Sequence, residues 1–429
     1  MNTAGLSFEQ GPPFSVPLRF FLTAPWFLVL AAVLISWEGP VIFASRWLPS
    51  MLALTHLLVL GFMAQTMLGA LLQILPVAVG VSVPYPRLTA ALIHIPLTLG
   101  TLTLVGAFLF SEPVLFAHAV GLLGLGFGVA LIAFNIAVWR APVAGGTVIA
   151  LRCALIALLV TVLFGLLLAS GLSWGWSLPV VMITELHAVW GLAGWTPLLL
   201  AGVAYQVVPM FHITPTYPTW LTRSFAPGMT GLFIAWTVLT LAGWPTVAMW
   251  VRIALTFGLI VLAIVTLYLF TQRRRKIGDP TLGYWRISMV SLFVGAGLWV
   301  LTQWLPALAL APQVELLLGV LLIVGFAIAV INGMLYKIVP FLAWFHLQAR
   351  FLGQAKVPNM KQLLPDAPIQ RQMWGFLATV VLLLAAVIYP IIFTYPAALA
   401  LGITGAWLGV NMFNVAWFYR RWSRQNALV

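Results

Sequence analysis

The sequence predicts an all-α polytopic membrane protein of 12 transmembrane helices, arranged as three pseudo-repeats of four with both termini in the cytoplasm. Three observations carry this prediction. The 429-residue chain is 63% hydrophobic and only 6% charged, and its apolar runs repeatedly reach the roughly 20 residues that cross a bilayer. A short residue pattern recurs three times at nearly constant spacing, and basic residues concentrate in alternate connections.

Apolar runs, interrupted at prolines, glycines and charge clusters, define the 12 spans. Spans 2, 6 and 10 are the longest, so we expect them to tilt or to extend beyond the bilayer. The spans cover approximately residues 20–37, 47–79, 88–110, 114–139, 147–170, 178–211, 226–244, 247–271, 285–305, 313–345, 372–392 and 396–419.

The recurring pattern is a glycine, a polar residue four positions later and a proline seven positions later. It occurs in spans 2, 6 and 10, at residues 69–76, 202–209 and 333–340, which start 133 and 131 residues apart. A period of this length holds about four membrane helices with their connections and indicates internal repetition. We therefore interpret residues 1–429 as a single transmembrane domain, with pseudo-repeats at approximately 20–139, 147–271 and 285–419.

The basic residues orient the chain. Of the 20 Lys and Arg, 17 lie at the N-terminal flank, in or beside the connections after even-numbered spans, or in the C-terminal tail. The positive-inside rule places these regions, and both termini, on the cytoplasmic side of the membrane, which we expect to be a bacterial-type inner membrane. The net charge of +13 is thus a topology signal beside lipid, and it predicts no nucleic-acid partner. The connections are too short for catalytic domains, so we expect any chemistry inside the membrane.

Three histidines are predicted in the outer half of the bilayer: His56 in span 2, His118 in span 4 and His187 in span 6. A histidine in a membrane helix is often a hydrogen-bonded packing residue, but ionisable groups in lipid are costly and tend to mark functional sites. The chain has one cysteine, Cys153, which excludes a cysteine-rich metal site. The three imidazoles are therefore the candidate ligands for a metal ion or a heme iron.

A stripe of small residues shares the helix face of His187: Gly191, Gly194 and Gly202. Small residues allow neighbouring helices to approach closely, and the same lack of side chains would admit a porphyrin plane. The sequence leaves both interpretations open.

Two charged residues in these spans are candidates for proton or quinone contacts. Glu185 precedes His187 by two residues and so points to a different helix face, where it could serve a proton or solvent path from the outer side. Lys337 occupies the polar position of the third repeat. It is expected to reach toward the inner interface, with a proton-path or quinone-headgroup role as the alternative.

The topology and His56, followed by Gly69 and Pro76-Val77, resemble subunit I of the heme-copper oxidases. The segment from His187 to Trp195, together with His56, is similar to the related NnrS-type heme and copper membrane proteins. The resemblance spans most of the chain by topology and about 60 residues by motif.

This resemblance implies a b-type heme, with copper as a second candidate cofactor, in a protein of electron transfer or of diatomic-gas binding such as nitric oxide. It places His56 as a heme ligand and His187 where the family has a copper ligand. A quinone or a cytochrome would be the redox partner, and an enzyme would be a heme-dependent oxidoreductase acting on nitric oxide or oxygen. The chain departs from the family in span 7, which has no adjacent histidine pair, and in span 10, which has no histidine around Leu318 to Val320. A standard dioxygen-reducing centre is therefore not expected.

Two other functional classes stay open. Repeats around a midplane site are also the architecture of secondary transporters, although mid-bilayer charges are few in this chain. The protein would otherwise be a membrane anchor or assembly subunit of a respiratory complex, with its histidines in packing roles.

Overall fold

The computed structural model describes residues 11–76, 80–141, 145–274, 278–351 and 355–426, and over these residues it contains helices and no strands. In this part of the chain 12 helices are long and apolar enough to cross a membrane, which confirms the predicted fold class. They are α1 (Ser15–Phe43), α2 (Pro49–Ile74), α3 (Pro86–Phe110), α4 (Pro113–Trp139), α5 (Gly146–Trp174), α6 (Val180–His212), α7 (Thr219–Leu241), α8 (Pro245–Thr271), α9 (Thr281–Thr302), α10 (Pro312–Phe351), α11 (Asp366–Ile388) and α12 (Pro390–Asn426).

Each predicted span overlaps one of these helices, and the differences lie at the ends. α7 begins at Thr219 instead of residue 226, and α12 continues to Asn426 instead of residue 419. Polar residues end an apolar run in the sequence, but they do not end a helix whose backbone hydrogen bonds continue into the interface.

The helices that carry the repeated pattern lie inside the bundle. In its most apolar window α2 is 78% buried, α10 67% and α6 56%, whereas the outer helices other than α1 are 33–44% buried. Around them, consecutive helices pack side by side, and α12 closes against α1. Any site inside the bundle is therefore expected to be lined by α2, α6 and α10.

We call the end of the bundle at which α2, α6 and α10 begin the histidine end, and the opposite end the proline end. Exposed tryptophans ring both ends, with Trp37 and Trp304 at the histidine end and Trp139 and Trp220 at the proline end among them. Such aromatic belts mark the two membrane interfaces. The cytoplasmic placement of the termini stays a prediction, and residues 1–10, 427–429 and the pair Arg275 and Lys276 lie outside the described residues.

Each inner helix contains a π-helical segment, which the sequence did not predict. The segments are Leu57–Ala64, Trp190–Trp195 and Val320–Ile328. Their starts are 133 and 130 residues apart, in register with the repeated glycine and proline to within one residue. Those of α2 and α10 pack against each other. Because π segments occur frequently at functional sites, they direct attention to the middle of the inner helices.

The glycine stripe of α6 serves close packing against α5. A Cβ atom on Gly202 would lie 3.0 Å from Ala150 Cβ, and one on Gly191 would lie 3.1 Å from Thr161 Cγ2. On Gly194 it would lie 3.5 Å from Ala157 Cβ. Of the two interpretations that the sequence left open, the structure shows helix packing at these positions.

A buried ion pair joins the second and third repeats at the proline end. Lys337 Nζ donates to Asp279 Oδ2 at 2.8 Å, Thr281 Oγ1 donates to Oδ1 at 2.7 Å, and His212 Nδ1 lies 3.5 Å from Oδ2. Burial of the Asp279 carboxyl opposes its ionisation, but the neighbouring His212 and the charge of Lys337 outweigh this, so its pKa is held well below the usual range. Lys337 is thus neutralised by a carboxylate on a neighbouring connection.

We predict that Asp279→Asn lowers the free energy of unfolding by about 3 kcal/mol, because Lys337 loses the partner of a largely buried pair. Asp366→Asn is the matched control, since the Asp366–Lys361 pair is exposed and is expected to contribute at most about 1 kcal/mol. Thermal unfolding in detergent measures both. The Asp279 contribution is fully present above its unfolded-state pKa of about 4 and declines only below that pH, because the folded-state pKa is lower still. Equal loss in the two variants would contradict the role assigned to Asp279.

Candidate cofactor site

His56 and His187 face each other between α2 and α6. Their ring centroids are 6.4 Å apart and their planes differ by 18°. His56 lies immediately before the π segment of α2, and His187 lies three residues before that of α6. Two of the three predicted outer-half histidines are therefore brought together.

Backbone carbonyls fix both imidazoles. His56 Nδ1 lies 2.7 Å from the carbonyl oxygen of Leu52, one turn earlier in α2, and His187 Nδ1 lies 2.9 Å from that of Thr161 in α5. A carbonyl oxygen only accepts, so in each ring Nδ1 is assigned the proton and Nε2 keeps its lone pair. The arrangement leaves both Nε2 atoms available as metal ligands.

Packing holds the two rings in place. Phe108 of α3 stacks on His56 with centroids 5.4 Å apart and an interplanar angle of 27°. Gly165 of α5 lies beneath His187, where an added Cβ would come within 2.8 Å of the imidazole Cε1. The His187 ring thus occupies the space that a side chain at residue 165 would fill.

Both imidazoles line a cavity of about 800 Å³ in the half of the bundle nearer the histidine end. Its walls are mainly aliphatic and aromatic and come from all three predicted repeats. The rings are only half-buried because they border this cavity. Val320 and Leu318, which correspond in the third repeat to His56 and His187, also line it and add aliphatic surface.

Two ion pairs lie among the residues that line the cavity near the histidine end. Arg46 Nε is 3.0 Å from Glu315 Oε2, and Arg252 Nη1 is 3.7 Å from Glu185 Oε2. The Arg252 guanidinium also lies 4.9 Å from the ring centroid of Trp299, a cation–π distance. Glu185 is thus paired with Arg252 in the same cavity lining, and the four charges sum to zero.

The structure places the third candidate, His118, elsewhere. It lies on an exposed face of α4, its Nδ1 is 2.8 Å from the carbonyl oxygen of Val114, and it does not line the cavity. Within the described residues no cluster of three or more His, Cys, Asp or Glu side chains could hold a metal ion. The site is therefore built on two histidines, not three.

Several site residues escaped the sequence analysis. The sequence has few charged residues on the predicted outer side, and Arg46, Arg252 and Glu315 are three of them. Their rarity was the one sequence feature that could have indicated a role in the site. No sequence feature distinguishes Phe108 or Gly165, because their roles depend on which helices pack together.

The spacing of the two rings matches coordination of one metal atom. Two metal–nitrogen bonds of about 2 Å each, with roughly 1 Å from each nitrogen to its ring centre, separate two imidazole centroids by about 6 Å. The observed 6.4 Å is also well beyond the roughly 4 Å of direct face-to-face contact. The centroid distance is therefore the one expected for two imidazoles that share a metal atom.

No model of a known protein family matches this chain, and no curated protein is similar to it in sequence. The class that the fold and the site define is a polytopic helical membrane protein with a paired-histidine cavity.

We predict that Gly165→Ala destabilises the protein by about 1–3 kcal/mol, because the new methyl group overlaps the His187 ring. Gly128→Ala in α4 is the control, since no atom lies within 4 Å of an added Cβ there. The comparison is made by thermal unfolding in detergent. If both variants are as stable as the unsubstituted protein, the close packing of the His187 ring on Gly165 is refuted.

Proposed function

We propose that this protein is a membrane-integral b-type heme protein of electron transfer, in which His56 and His187 are the two axial ligands of one heme. The observation that carries the proposal is the pair itself, with 6.4 Å between nearly parallel rings whose Nδ1 atoms are both engaged by carbonyls. The 12-helix architecture and the resemblance to heme-copper oxidase subunit I and NnrS-type proteins agree with this function.

A heme fits the site better than a bare metal ion. Two imidazoles do not complete the usual four-ligand set of copper or zinc, and no third His, Cys, Asp or Glu joins them among the described residues. A porphyrin supplies four nitrogens of its own and needs only the two axial ligands. A cavity of about 800 Å³ with apolar walls has the size and character of a site for a large flat ligand.

The charged lining offers partners for the carboxylates that a b-type heme carries. Arg46 and Arg252 line the same cavity as the histidines, and a guanidinium binds a carboxylate through two parallel hydrogen bonds. Their present partners are Glu315 and Glu185. We propose that Arg46 and Arg252 would hold the heme propionates together with, or in place of, these glutamates.

Ligation from both sides favours electron transfer over gas binding. When bound, the heme would supply a reversible one-electron carrier without an open axial position. The residues of the chain would hold it: the carbonyls of Leu52 and Thr161 orient the imidazoles, and the apolar walls exclude water. We propose a quinone or a cytochrome as the redox partner, and the inner membrane with both termini in the cytoplasm as the setting.

We predict that the purified protein shows a heme absorption spectrum that is lost or strongly shifted in His56→Ala and in His187→Ala. His118→Ala is the matched control, because this histidine is predicted at the same depth but lies away from the cavity. Absorption spectra and heme-to-protein ratios after expression with added heme make the comparison.

A colourless preparation made with adequate heme would contradict the proposal and favour a transporter or an assembly subunit. Bound copper without heme, found by metal analysis, would contradict the choice of cofactor.

Gas binding gives a second test. We expect the ferrous unsubstituted protein to show no spectral shift with carbon monoxide, because both axial positions are taken. His187→Gly should open one position and allow the shift. Rapid binding of carbon monoxide or nitric oxide to the unsubstituted protein would instead support the gas-binding function.

A further inference from the structure

α10 and α12 are longer than a bilayer requires. They have 40 and 37 residues, which correspond to about 60 and 56 Å of helix, against a hydrocarbon core of about 30 Å. Trp417 of α12 is 51% exposed and belongs to the aromatic belt of the proline end. The residues after Trp417 therefore pass through the level of the lipid head groups.

This last part of α12 is packed against the bundle. Trp422 meets Phe351, the final residue of α10, edge to face with ring centroids 5.1 Å apart, and Tyr419 packs on Phe14 at 4.6 Å. Ser423 is buried on the same side. The opposite side of the helix is therefore presented outward in a fixed orientation.

Four exposed arginines lie at this end of the bundle, and we call them the arginine platform: Arg350 near the end of α10, and Arg420, Arg421 and Arg424 on the outward side of α12. The last three are neighbours on α12, since residues three and four apart share a helix face. Arg421 lies over the ring of Trp417 at 5.3 Å, and Arg350 lies over Phe351 at 5.3 Å. The aromatic rings thus hold two of the guanidinium groups at the head-group level.

No carboxylate neutralises the platform within the described residues. The ion pairs found there do not include any of its four arginines. The two described acidic residues at this end, Asp279 and Asp366, are bound by Lys337 and Lys361. The platform therefore presents up to four positive charges beside lipid.

We propose that the arginine platform binds the phosphate groups of anionic phospholipids. Guanidinium groups match phosphate oxygens through paired hydrogen bonds, and basic clusters beside a membrane helix attract anionic head groups. Free phosphate shares this chemistry, but the position of the platform beside a belt tryptophan, at the ends of two helices that cross the bilayer, fits a lipid. This site is independent of the heme proposed at the other end.

The test compares phosphatidylglycerol with phosphatidylcholine as fluorescent probes for the purified full-length protein in neutral detergent. The unsubstituted protein should prefer phosphatidylglycerol. The triple variant Arg420→Gln, Arg421→Gln, Arg424→Gln should lose on the order of 100-fold in affinity for it. The control triple variant Arg87→Gln, Arg140→Gln, Arg223→Gln removes the same charge from three exposed arginines at the ends of separate helices at the same end of the bundle, and it should stay within about threefold.

Equal losses in the two triple variants would overturn the proposal, because they would show a general effect of net charge. Displacement of the probe by millimolar inorganic phosphate, with no preference for phosphatidylglycerol, would assign the platform to a free anion. Arg→Lys at residues 420, 421 and 424 keeps the charge but loses the paired hydrogen bonds, and it should retain part of the binding. This variant, with circular dichroism of all forms, separates loss of a lipid site from loss of the fold.

Discussion

The geometry of the candidate cofactor site depends on the hydrogen bond between His187 of α6 and the carbonyl oxygen of Thr161 in α5. That oxygen lies within a helix, so the imidazole N–H must donate to the second lone pair of the oxygen and approach it from the side. Such an approach requires α5 and α6 to lie very close together. Gly202 and Gly191 permit it by contacting Ala150 and Thr161 without side chains of their own.

The two histidines of the site come from the first two predicted repeats, and the third repeat contributes apolar wall and one charged residue. The three π segments are nearly in register, so equivalent positions of α2, α6 and α10 reach the same cavity. At the positions of the histidines α10 carries Val320 and Leu318, which extend the apolar surface. Its charged contribution is Glu315, whose ion pair with Arg46 ties the third repeat to the first. An apolar wall opposite a histidine pair suits a large flat ligand better than a multinuclear metal centre.

Much of the fold was predictable, because span length and apolar composition are properties of the chain alone. Depth was predictable for the same reason, since a fixed rise per residue places His56 and His187 at one level. The direction in which a helix faces was not predictable: His118 was predicted at the same depth, but α4 is an outer helix and its histidine lies on an exposed face. Nor was the partner of Lys337, because Asp279 is 58 residues away in sequence. The π segments depend on tertiary packing, so the local sequence does not predict them.

The most direct test of the paired ligation is electron paramagnetic resonance of the oxidised, purified protein. With His56 and His187 on one heme, their planes 18° apart, we predict a rhombic low-spin ferric spectrum, which is the form given by nearly parallel axial imidazoles. A high-spin ferric spectrum would mean that one of the two histidines does not bind the iron. A copper spectrum without an iron signal would mean that the cavity holds a different metal, and either result would contradict the site described here.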